Sequence, residues 1–509
     1  MTAEAFLEGA ASLGAAGAAA TALVIDAPRA RARTMVAALV LAGVALGPLV
    51  SGRVSDQVSA RPAVVAAAAL LGLGVLAVLV WLIRRNPPLL ALLAFAALPF
   101  RVPLSLGGTT ANLLLPLYGV ILAGCVALSF GRERPPDAEP PRPVRRLDQV
   151  LAAVLVLYAL QALYSSDLDQ AVKNICFFYV PFALLYRLLR QIDWTAKVLS
   201  RCLLVVVALA LFFAGVGFVE FGTQHLLIPN AKVLSANEIK PYFRVNSLFF
   251  DPNIYGRFLA LTMIALAARL LWSARTRETW LIAAALAVLW AGLVLSLSQS
   301  SFAALLVGLA VLAALRWKVW PVVAIAVAGI AIGVAIAVIS PDTINLKGKG
   351  SKALDTATSG RTDLIRGGGR MFAARPVYGY GAGGFEATYR EREHVRSKRR
   401  AAISHTIPVT VAAEQGVIGL IAYVALLVCA FVLLFGGGLR GALRTRPPPA
   451  DVLARGIAAA AFCALFVHTL VYASFLEDPL TWALLALAGA LRVPQPASSA
   501  SLATEPSIS

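Results

Sequence analysis

Apolar runs separated by short polar or basic segments recur along the chain from Val36 to Leu491. Most of these runs have roughly 17 to 23 residues, which as a helix is enough to cross a bilayer core of about 30 Å. The third and last runs are shorter, so we expect twelve to fourteen membrane-spanning helices. The fourteen predicted spans lie near residues 34–51, 61–83, 88–100, 111–130, 147–164, 172–189, 199–220, 251–271, 279–297, 300–315, 319–340, 407–435, 456–474 and 479–491.

Composition agrees with this pattern, because 59% of the 509 residues are hydrophobic and only 14% are charged. A soluble protein has about 25% charged residues. The short alternating segments of a membrane β-barrel are absent from the sequence. The predicted fold class is therefore an all-α polytopic membrane protein.

Lysine and arginine set the predicted orientation, because short cytoplasmic loops are enriched in both. One alternating set of loops carries 24 of the 45 basic residues, and the short loops between them carry seven. The first set is therefore predicted to be cytoplasmic. This assignment places both termini inside and His405 outside.

The spans and loops divide the chain into five predicted parts. Residues 1–33 form a cytoplasmic or interfacial segment, in which 5–25 are either an interfacial helix or an extra span. Residues 34–340 hold eleven spans, 341–404 form a long outer loop, and 405–492 hold three spans. The Ser-, Ala- and Pro-rich tail, 493–509, is predicted to be disordered.

The outer loop 341–404 is strongly basic, with 13 Lys and Arg against 6 Asp and Glu. Long loops are translocated largely regardless of charge, so this loop does not contradict the orientation. Its charge suits an anionic partner embedded in the membrane. The alternative is a solvated basic loop close to acidic lipid head groups.

Several classes of site are not supported by the sequence. The five cysteines lie in or beside apolar segments without metal-ligand spacing, and we interpret them as small buried side chains. The cytoplasmic loops are too short for a nucleotide-binding domain. "GYGAGG" at 379–384 fits a dinucleotide motif only formally, because no strand and helix flank it. We expect no metal, no cofactor and no nucleic-acid partner.

The first stretch with candidate chemistry is "YFRVNSLFFDPNIYGRF", residues 242–258. Asp251 followed by Pro252 predicts a helix N-cap with proline at the first helical position. Asn253 shares a helix face with Arg257, which lies more than one turn inside a span. A charged residue at that depth is a candidate functional residue. The alternative for Arg257 is a buried ion pair with Asp251 or Glu220.

The second stretch, residues 359–392, contains three arginines at roughly helical spacing, Arg361, Arg366 and Arg370. The planar guanidinium group binds phosphate through two parallel hydrogen bonds. A cluster of proline and glycine follows and predicts a turn and a short loop. The arginines are therefore candidates for holding a phosphate group.

The third stretch is "SHTIPVTVAAEQGVIGL", residues 404–420. Pro408 predicts that His405 lies at or just before a helix N-terminus, where the helix dipole favours neutral imidazole. Neutral imidazole can act as a general base, although a capping or packing role is equally open. Gly416 would allow a lipid chain or another helix to approach closely. Glu414 is interpreted as a structural hydrogen-bond acceptor.

Over roughly residues 240–435 the chain resembles the O-antigen ligase family, which also includes O-antigen polymerase-like enzymes. The resemblance is carried by Arg244 with Asp251-Pro252-Asn253, by "GRTDLI…RPVYGYGAGGF", and above all by His405 and Gly416 at the family's His–ten residues–Gly spacing. The chain differs from the family in two places. Thr406 follows the histidine where the family often has Asn, and "SLSQSSF" (296–302) stands where the family often has Ser-Arg.

The resemblance implies a metal-independent, inverting glycosyltransferase with a GT-C-type architecture in the bacterial cytoplasmic membrane. Such an enzyme transfers a glycan from undecaprenyl diphosphate to a glycan or a lipid-linked acceptor at the outer face. Carried over by position, Arg244 and Arg361 would hold the diphosphate, and His405 would activate or orient the acceptor hydroxyl. Arg257, Arg366 and Arg370 are further candidates for the diphosphate, with Asp251, Asn253, Glu414 and Gly416 in support.

Two alternatives remain open. Within the family, a polymerase would use a second glycan as acceptor, and the His405–Gly416 spacing favours a ligase only slightly. A transporter or flippase belongs to another class; such proteins commonly show paired halves with broken helices, and no internal repeat is visible. A purely structural membrane protein would leave Arg257 and His405 unexplained.

Overall fold

Helices dominate the fold, as the apolar pattern predicts. The computed structural model describes residues 3–106, 109–130, 140–229, 231–239, 242–272, 276–322, 324, 361–395, 406–445, 447–472 and 474–491. Within these residues, ten helices are long and apolar enough to cross a membrane, and two shorter apolar helices accompany them. The fold class predicted from the sequence, an all-α polytopic membrane protein, is confirmed.

The helices have the following bounds: α1 Ala3–Val24, α2 Pro28–Ala60, α3 Pro62–Arg85, α4 Leu89–Ala97, α5 Leu115–Ser129, α6 Arg142–Ala162, α7 Leu168–Asn174, α8 Val180–Arg190, α9 Ala196–Thr223, α10 Ala231–Ile239, α11 Pro252–Trp272, α12 Thr276–Ser296, α13 Gln299–Arg316, α14 Arg361–Ala374, α15 Phe385–Arg392, α16 Ile407–Phe435, α17 Leu439–Ala442, α18 Ala450–Thr469 and α19 Pro479–Ala490. A π-helical turn, Ile175–Tyr179, joins α7 to α8. One short antiparallel hairpin, β1 Val102–Leu106 with β2 Thr109–Leu113, interrupts the helical pattern.

Helix α1 packs inside the bundle, against α2, α6 and α8. Its alanines at 15, 16 and 19 are fully buried, and such small side chains let neighbouring helices approach closely. The start of α1 lies beside the end of α6, because Gly9 abuts Leu163. Helix α1 is long and apolar enough to cross a membrane, which favours the extra span over the interfacial helix among the two predictions for residues 5–25.

Helix α3 has the opposite character, because it is apolar yet exposed along almost its whole length. Leu70 and Leu71 are among its exposed side chains. A helix that is apolar on an outward surface is suited to contact with lipid. Its exposure agrees with a membrane environment around the bundle.

The ends of the helices gather at two opposite faces. At one face, the end of α1 and the start of α2 surround a cleft together with the start of α6 and the ends of α8 and α19. At the other face, the ends of α6 and α18 meet the starts of α7 and α16. The charge bias predicts that the first face is cytoplasmic and the second is external.

Candidate functional site

The Asp251-Pro252-Asn253 motif begins α11 and connects it to the end of α18. Asp251 Oδ1 accepts a hydrogen bond from the backbone N–H of Asn253 at 2.7 Å, which is the N-cap predicted from the sequence. Its Oδ2 accepts a second one from the Tyr472 hydroxyl at 3.1 Å. One carboxylate thus joins two helix ends at the face that is predicted to be external.

The Arg244 side chain lies beside this motif in a fixed orientation. Its Nε donates to the carbonyl of Ser296 at 2.7 Å, and one Nη donates to Asn253 Oδ1 at 3.1 Å. The side chain is half-buried, and burial lowers the pKa of Arg244 while the Asp251 carboxylate opposes that effect. A guanidinium held in this way is preorganised for an anion that approaches its remaining edge.

Serine hydroxyls from residues 296–302, around the break between α12 and α13, surround Asn253. Ser298 Oγ donates to Asn253 Oδ1 at 2.8 Å and lies 2.8 Å from Ser301 Oγ. Ser300 Oγ lies 3.2 Å from His468 Nε2. The break between α12 and α13 is therefore a buried network of hydroxyl, amide and imidazole groups, which the Arg244 guanidinium joins through Asn253 Oδ1 and the carbonyl of Ser296.

Arg257 is buried inside the bundle and pairs with a carboxylate. Its guanidinium is 1% exposed and forms an ion pair with Asp478. Asp478 also caps α19 by accepting from the Leu480 N–H at 2.9 Å. The buried ion pair predicted as the alternative role of Arg257 is thus present, but its partner is Asp478 rather than Asp251 or Glu220. This pair favours the structural alternative over a role of Arg257 in binding diphosphate.

The segment between α18 and α19, residues 470–478, was not identified as part of the site from the sequence. Burial raises the pKa of Glu477 to about 7, Asp478 adds to this effect, and Arg101 opposes it. Arg101 also interacts electrostatically with Tyr472 and Arg257. The signal in the sequence was "EDP", which repeats the acid–proline pattern of Asp251-Pro252 at the start of another span.

The start of α16 adjoins the same segment. His405 lies outside the described residues, but the neighbouring Thr406 donates from Oγ1 to the carbonyl of Leu470 at 3.1 Å. Helix α14 packs against the first turns of α16, where Gly368 abuts Val409. The start of α16, from Thr406 onward, is therefore anchored between α14 and the 470–478 segment.

Two of the three arginines of α14 have described side chains. Arg366 is exposed, and Arg370 is exposed but forms a salt bridge with Glu393 in which Nη2 and Oε2 are 2.7 Å apart. The hydrogen bond to Glu393 raises the pKa of Arg370. The predicted helix is present and begins at Arg361, whose side chain lies outside the described part of the structure.

Glu414 holds the loop 376–384 against α16. Its two carboxylate oxygens accept hydrogen bonds from the N–H groups of Gly383 and Phe385, each at 3.0 Å, at the start of α15. This is the structural acceptor role predicted from the sequence. The glycine-rich motif in the loop serves close packing: a side chain at Gly381 would collide with the backbone of Ser165.

Gly416 interrupts α16, with φ +64° and ψ −159°. The group that approaches it is the backbone of Val377 in the same loop, and the N–H of Val417 donates to the carbonyl of Pro376 at 2.7 Å. The prediction of close approach at Gly416 is therefore confirmed, but the partner is a protein loop rather than a lipid chain or another helix. Because α16 starts at Ile407 and is kinked, no straight helix joins His405 to Gly416.

A cavity of about 160 Å³ lies beneath the start of α16, between α6, the π-helical turn and the 470–478 segment. Polar groups line it, among them Tyr158, Asn174, Thr410, Glu414 and Glu477. Hydroxyl, amide and carboxyl groups of this kind can bond to the hydroxyl groups of a sugar. Among the described residues, no three His, Cys, Asp or Glu side chains come together as a metal-binding group.

Comparison with known protein families bears directly on these elements. The O-Antigen ligase family model matches residues 283–424, from α12 to the first half of α16. The match includes the serine-rich break, α14, the glycine-rich loop and positions 405 and 416, whereas Arg244 and Asp251 lie outside it. No curated protein matches the chain. The resemblance inferred from the sequence is thereby confirmed over residues 283–424, which match the O-Antigen ligase family model.

Proposed function

We propose that this protein is a glycosyltransferase of the O-antigen ligase type in the bacterial cytoplasmic membrane. It transfers a glycan from undecaprenyl diphosphate to a lipid-linked or glycan acceptor at the outer face. The family match supports a membrane glycosyltransferase of the ligase or polymerase type. The identity of the donor, the identity of the acceptor and the reaction mechanism go beyond that match and are proposed here.

One structural observation carries the proposal. The 470–478 segment contacts both the Asp251 motif, through Tyr472, and the start of α16, through the Thr406–Leu470 hydrogen bond. Candidate residues that are more than 150 positions apart in the chain are thereby brought to one face of the bundle. Arg244, the proposed donor-binding residue, bonds to Asn253 on one side of this segment, and Thr406 at the start of α16 bonds to the segment on the other side.

In the proposed reaction, Arg244 and Arg361 bind the diphosphate and offset the charge that builds on it as it leaves. Preorganised charge stabilisation of this kind is usually the largest single contribution to catalysis. The acceptor hydroxyl oxygen attacks the anomeric carbon, and the bond from that carbon to the diphosphate oxygen breaks. The electron pair leaves with the diphosphate, the proton passes to His405, and direct displacement inverts the anomeric configuration.

The roles of the other candidates follow from their contacts. For Arg257, the buried ion pair with Asp478 supports a structural role rather than donor binding. Glu414 and Gly416 shape the first half of α16, Asn253 orients Arg244, and Asp251 caps α11. Arg366 and Arg370 supply positive charge along α14, where the salt bridge to Glu393 reduces the contribution of Arg370.

The test is an assay of the purified protein with an undecaprenyl-diphosphate-linked glycan. One arm adds a lipid A-core-like acceptor and a second arm adds only more donor, which separates ligase from polymerase. Turnover should persist in excess EDTA. Loss on chelation, with recovery on addition of Mg²⁺ or Mn²⁺, would contradict metal independence, and no transfer in either arm would contradict the proposal itself.

Variants of His405 and Arg244 test the chemistry. His405→Ala should lower turnover by about 10²–10⁴-fold with donor binding retained, because a general base contributes that much. His405→Gln should be similarly impaired, since an amide cannot accept the proton. Arg244→Lys should weaken donor binding, because lysine lacks the planar fork. The matched control is His394→Gln, an exposed histidine at the end of α15, which should behave as wild type.

A further inference from the structure

A large cleft opens at the face opposite the candidate site. Its volume is about 1890 Å³, and it lies between the α1–α2 connection, the start of α6 and the ends of α5, α8, α16 and α19. Eight arginines and three aspartates are the charged residues among the described residues that line it, a net charge of +5 (8 − 3). Nothing in the proposed transfer reaction uses this cleft.

Apolar side chains form much of the same wall. Leu128, Leu188 and Val432 line the cleft between the arginines. Arg145 at the start of α6 and Arg33 in α2 are exposed, so positive charge lies at the mouth of the cleft. A cationic mouth above apolar walls, at the level where helices end, matches an anionic head group with its acyl chains.

The interior of the cleft also contains a buried cation with an unused donor. Arg455 is only 7% exposed, and one Nη donates to the carbonyl groups of Leu433 and Gly436 near the end of α16. Its Nε is buried and has no hydrogen-bond acceptor within the described structure. A buried donor without an acceptor is costly, and an anionic oxygen in the cleft would satisfy it.

We propose that this arginine-lined cleft is a binding site for a lipid with an anionic phosphate head group. The charge bias places the cleft at the cytoplasmic face, so the lipid comes from the inner leaflet. The same chemistry could be supplied by a soluble phosphate, but the apolar wall favours the lipid. This site is separate from the proposed transfer site and does not depend on it.

A matched pair of triple variants provides the test. The cleft variant is Arg33→Gln, Arg84→Gln and Arg145→Gln, in which all three arginines line the cleft and are exposed. The control is Arg85→Gln, Arg142→Gln and Arg146→Gln, in which three exposed arginines nearby do not line it. Both variants lose three positive charges from the same face, so an effect of general surface charge should weaken lipid binding equally in both.

Binding is measured on the purified full-length protein in detergent, by native mass spectrometry and by thermal stability. The probes are phosphatidylglycerol, cardiolipin, phosphatidylcholine and inorganic diphosphate. We expect the two anionic lipids to bind and stabilise, and phosphatidylcholine to do neither. The cleft variant should weaken anionic lipid binding by at least about tenfold, whereas the control should change it less than about twofold. An Arg→Lys version of the cleft triple should retain most of the binding and shows that the fold tolerates change at these positions.

Three results would overturn the proposal. If the cleft variant and the control variant lose anionic-lipid binding equally, the binding depends on general surface charge and not on the cleft. Equal binding of phosphatidylcholine, whose phosphate is balanced by the choline cation, would remove the role of a net negative head-group charge. Stabilisation by inorganic diphosphate without binding of the anionic lipids would identify a site for a soluble anion instead. Because no readout requires glycan transfer, failure here is distinguishable from failure of the proposed function.

Discussion

At the scale of single residues, Asp478 shows how one carboxylate fixes several elements. It caps α19 and pairs with Arg257 of α11, and both side chains are almost completely buried. Removing one partner of a buried ion pair leaves a charge without a partner, which typically costs about 3–5 kcal/mol. The pair therefore explains an arginine within a span without assigning it to catalysis.

Arg257→Met should accordingly lower the thermal stability of the purified protein strongly, because Asp478 loses its partner. The double variant Arg257→Met with Asp478→Asn should recover part of that loss, since no buried charge then remains alone. Stability is followed by melting in detergent, with donor binding measured on both variants. If Arg257→Met folds with normal stability yet fails to bind donor, the structural assignment of Arg257 is wrong.

Glu477 provides a prediction about pH. Its pKa is raised from 4.5 to about 7, chiefly by burial. Between about pH 4.5 and 7, Glu477 is protonated in the folded protein but has lost its proton in the unfolded chain. The contribution of Glu477 to the free energy of unfolding therefore falls as the pH rises through this range.

Glu477→Gln resembles the protonated form and should remove that dependence. Its melting temperature should match that of the wild type near pH 5 and exceed it by roughly 1–3 °C near pH 8. The surface variant Glu391→Gln, at an exposed position on α15, is the control and should show no such difference. If the melting temperatures of Glu477→Gln and the wild type differ equally at both pH values, the pKa of Glu477 is not raised as described.

At the scale of elements, the kink in α16 depends on one glycine. Gly416 has backbone angles that are essentially restricted to glycine, and an added Cβ would collide with the carbonyl of Val377. The kink lets the loop 376–384 dock against the helix while Glu414 holds the start of α15.

Gly416→Ala should therefore destabilise the protein by at least about 1–3 kcal/mol, through strain and loss of loop packing. The matched control is Gly215→Ala in α9, where an added Cβ meets nothing within 4 Å and helix propensity improves. Thermal melting of both variants in the same detergent makes the comparison. Equal melting temperatures would mean that the loop does not require glycine at this position.

The positions of the helices along the chain were largely predictable from the sequence, whereas the residues that contact one another between helices were not. The predicted spans 199–220 and 407–435 correspond to Ala196–Thr223 and Ile407–Phe435, because length and apolarity decide a span. For α1 the sequence leaves two alternatives, because its many alanines and glycines make it only weakly apolar and its burial depends on close packing. The ion pair of Arg257 was misassigned because its partner lies 221 positions away, a separation on which local sequence has no bearing.

The candidate site was predictable to a similar degree. The N-cap at Asp251 and the acceptor role of Glu414 depend on local chemistry and were predicted. The contribution of residues 470–478 was missed, because it depends on how α18 and α19 pack against α11 and α16. The position of the His405 side chain remains a prediction, since that residue lies outside the described part of the chain.

At the scale of the whole molecule, the packing of α1 alters the predicted topology. The end of α1 and the start of α2 line the arginine-rich cleft, so α1 begins at the opposite face. The start of α1 also lies beside the end of α6, since Gly9 abuts Leu163 and Glu8 is influenced by Asp169. If the charge bias sets the orientation, residue 4 is external, which conflicts with the prediction that both termini are cytoplasmic.

Cysteine labelling in intact cells tests the orientation and this correction together. Glu4→Cys and Glu391→Cys place thiols at exposed positions on the face predicted to be external, and Arg145→Cys places one at the arginine-rich face. An impermeant thiol reagent should modify the first two in intact cells and the third only after permeabilisation. The unsubstituted protein is the control, because three of its five cysteines are buried and two are half-buried.

Protection of Glu4→Cys with labelling of Glu391→Cys would restore a cytoplasmic start for α1, and it would then contradict the packing of α1 along α6. Labelling of Arg145→Cys alone in intact cells would invert the molecule, placing the arginine-lined cleft outside and removing the external face on which the proposed transfer depends.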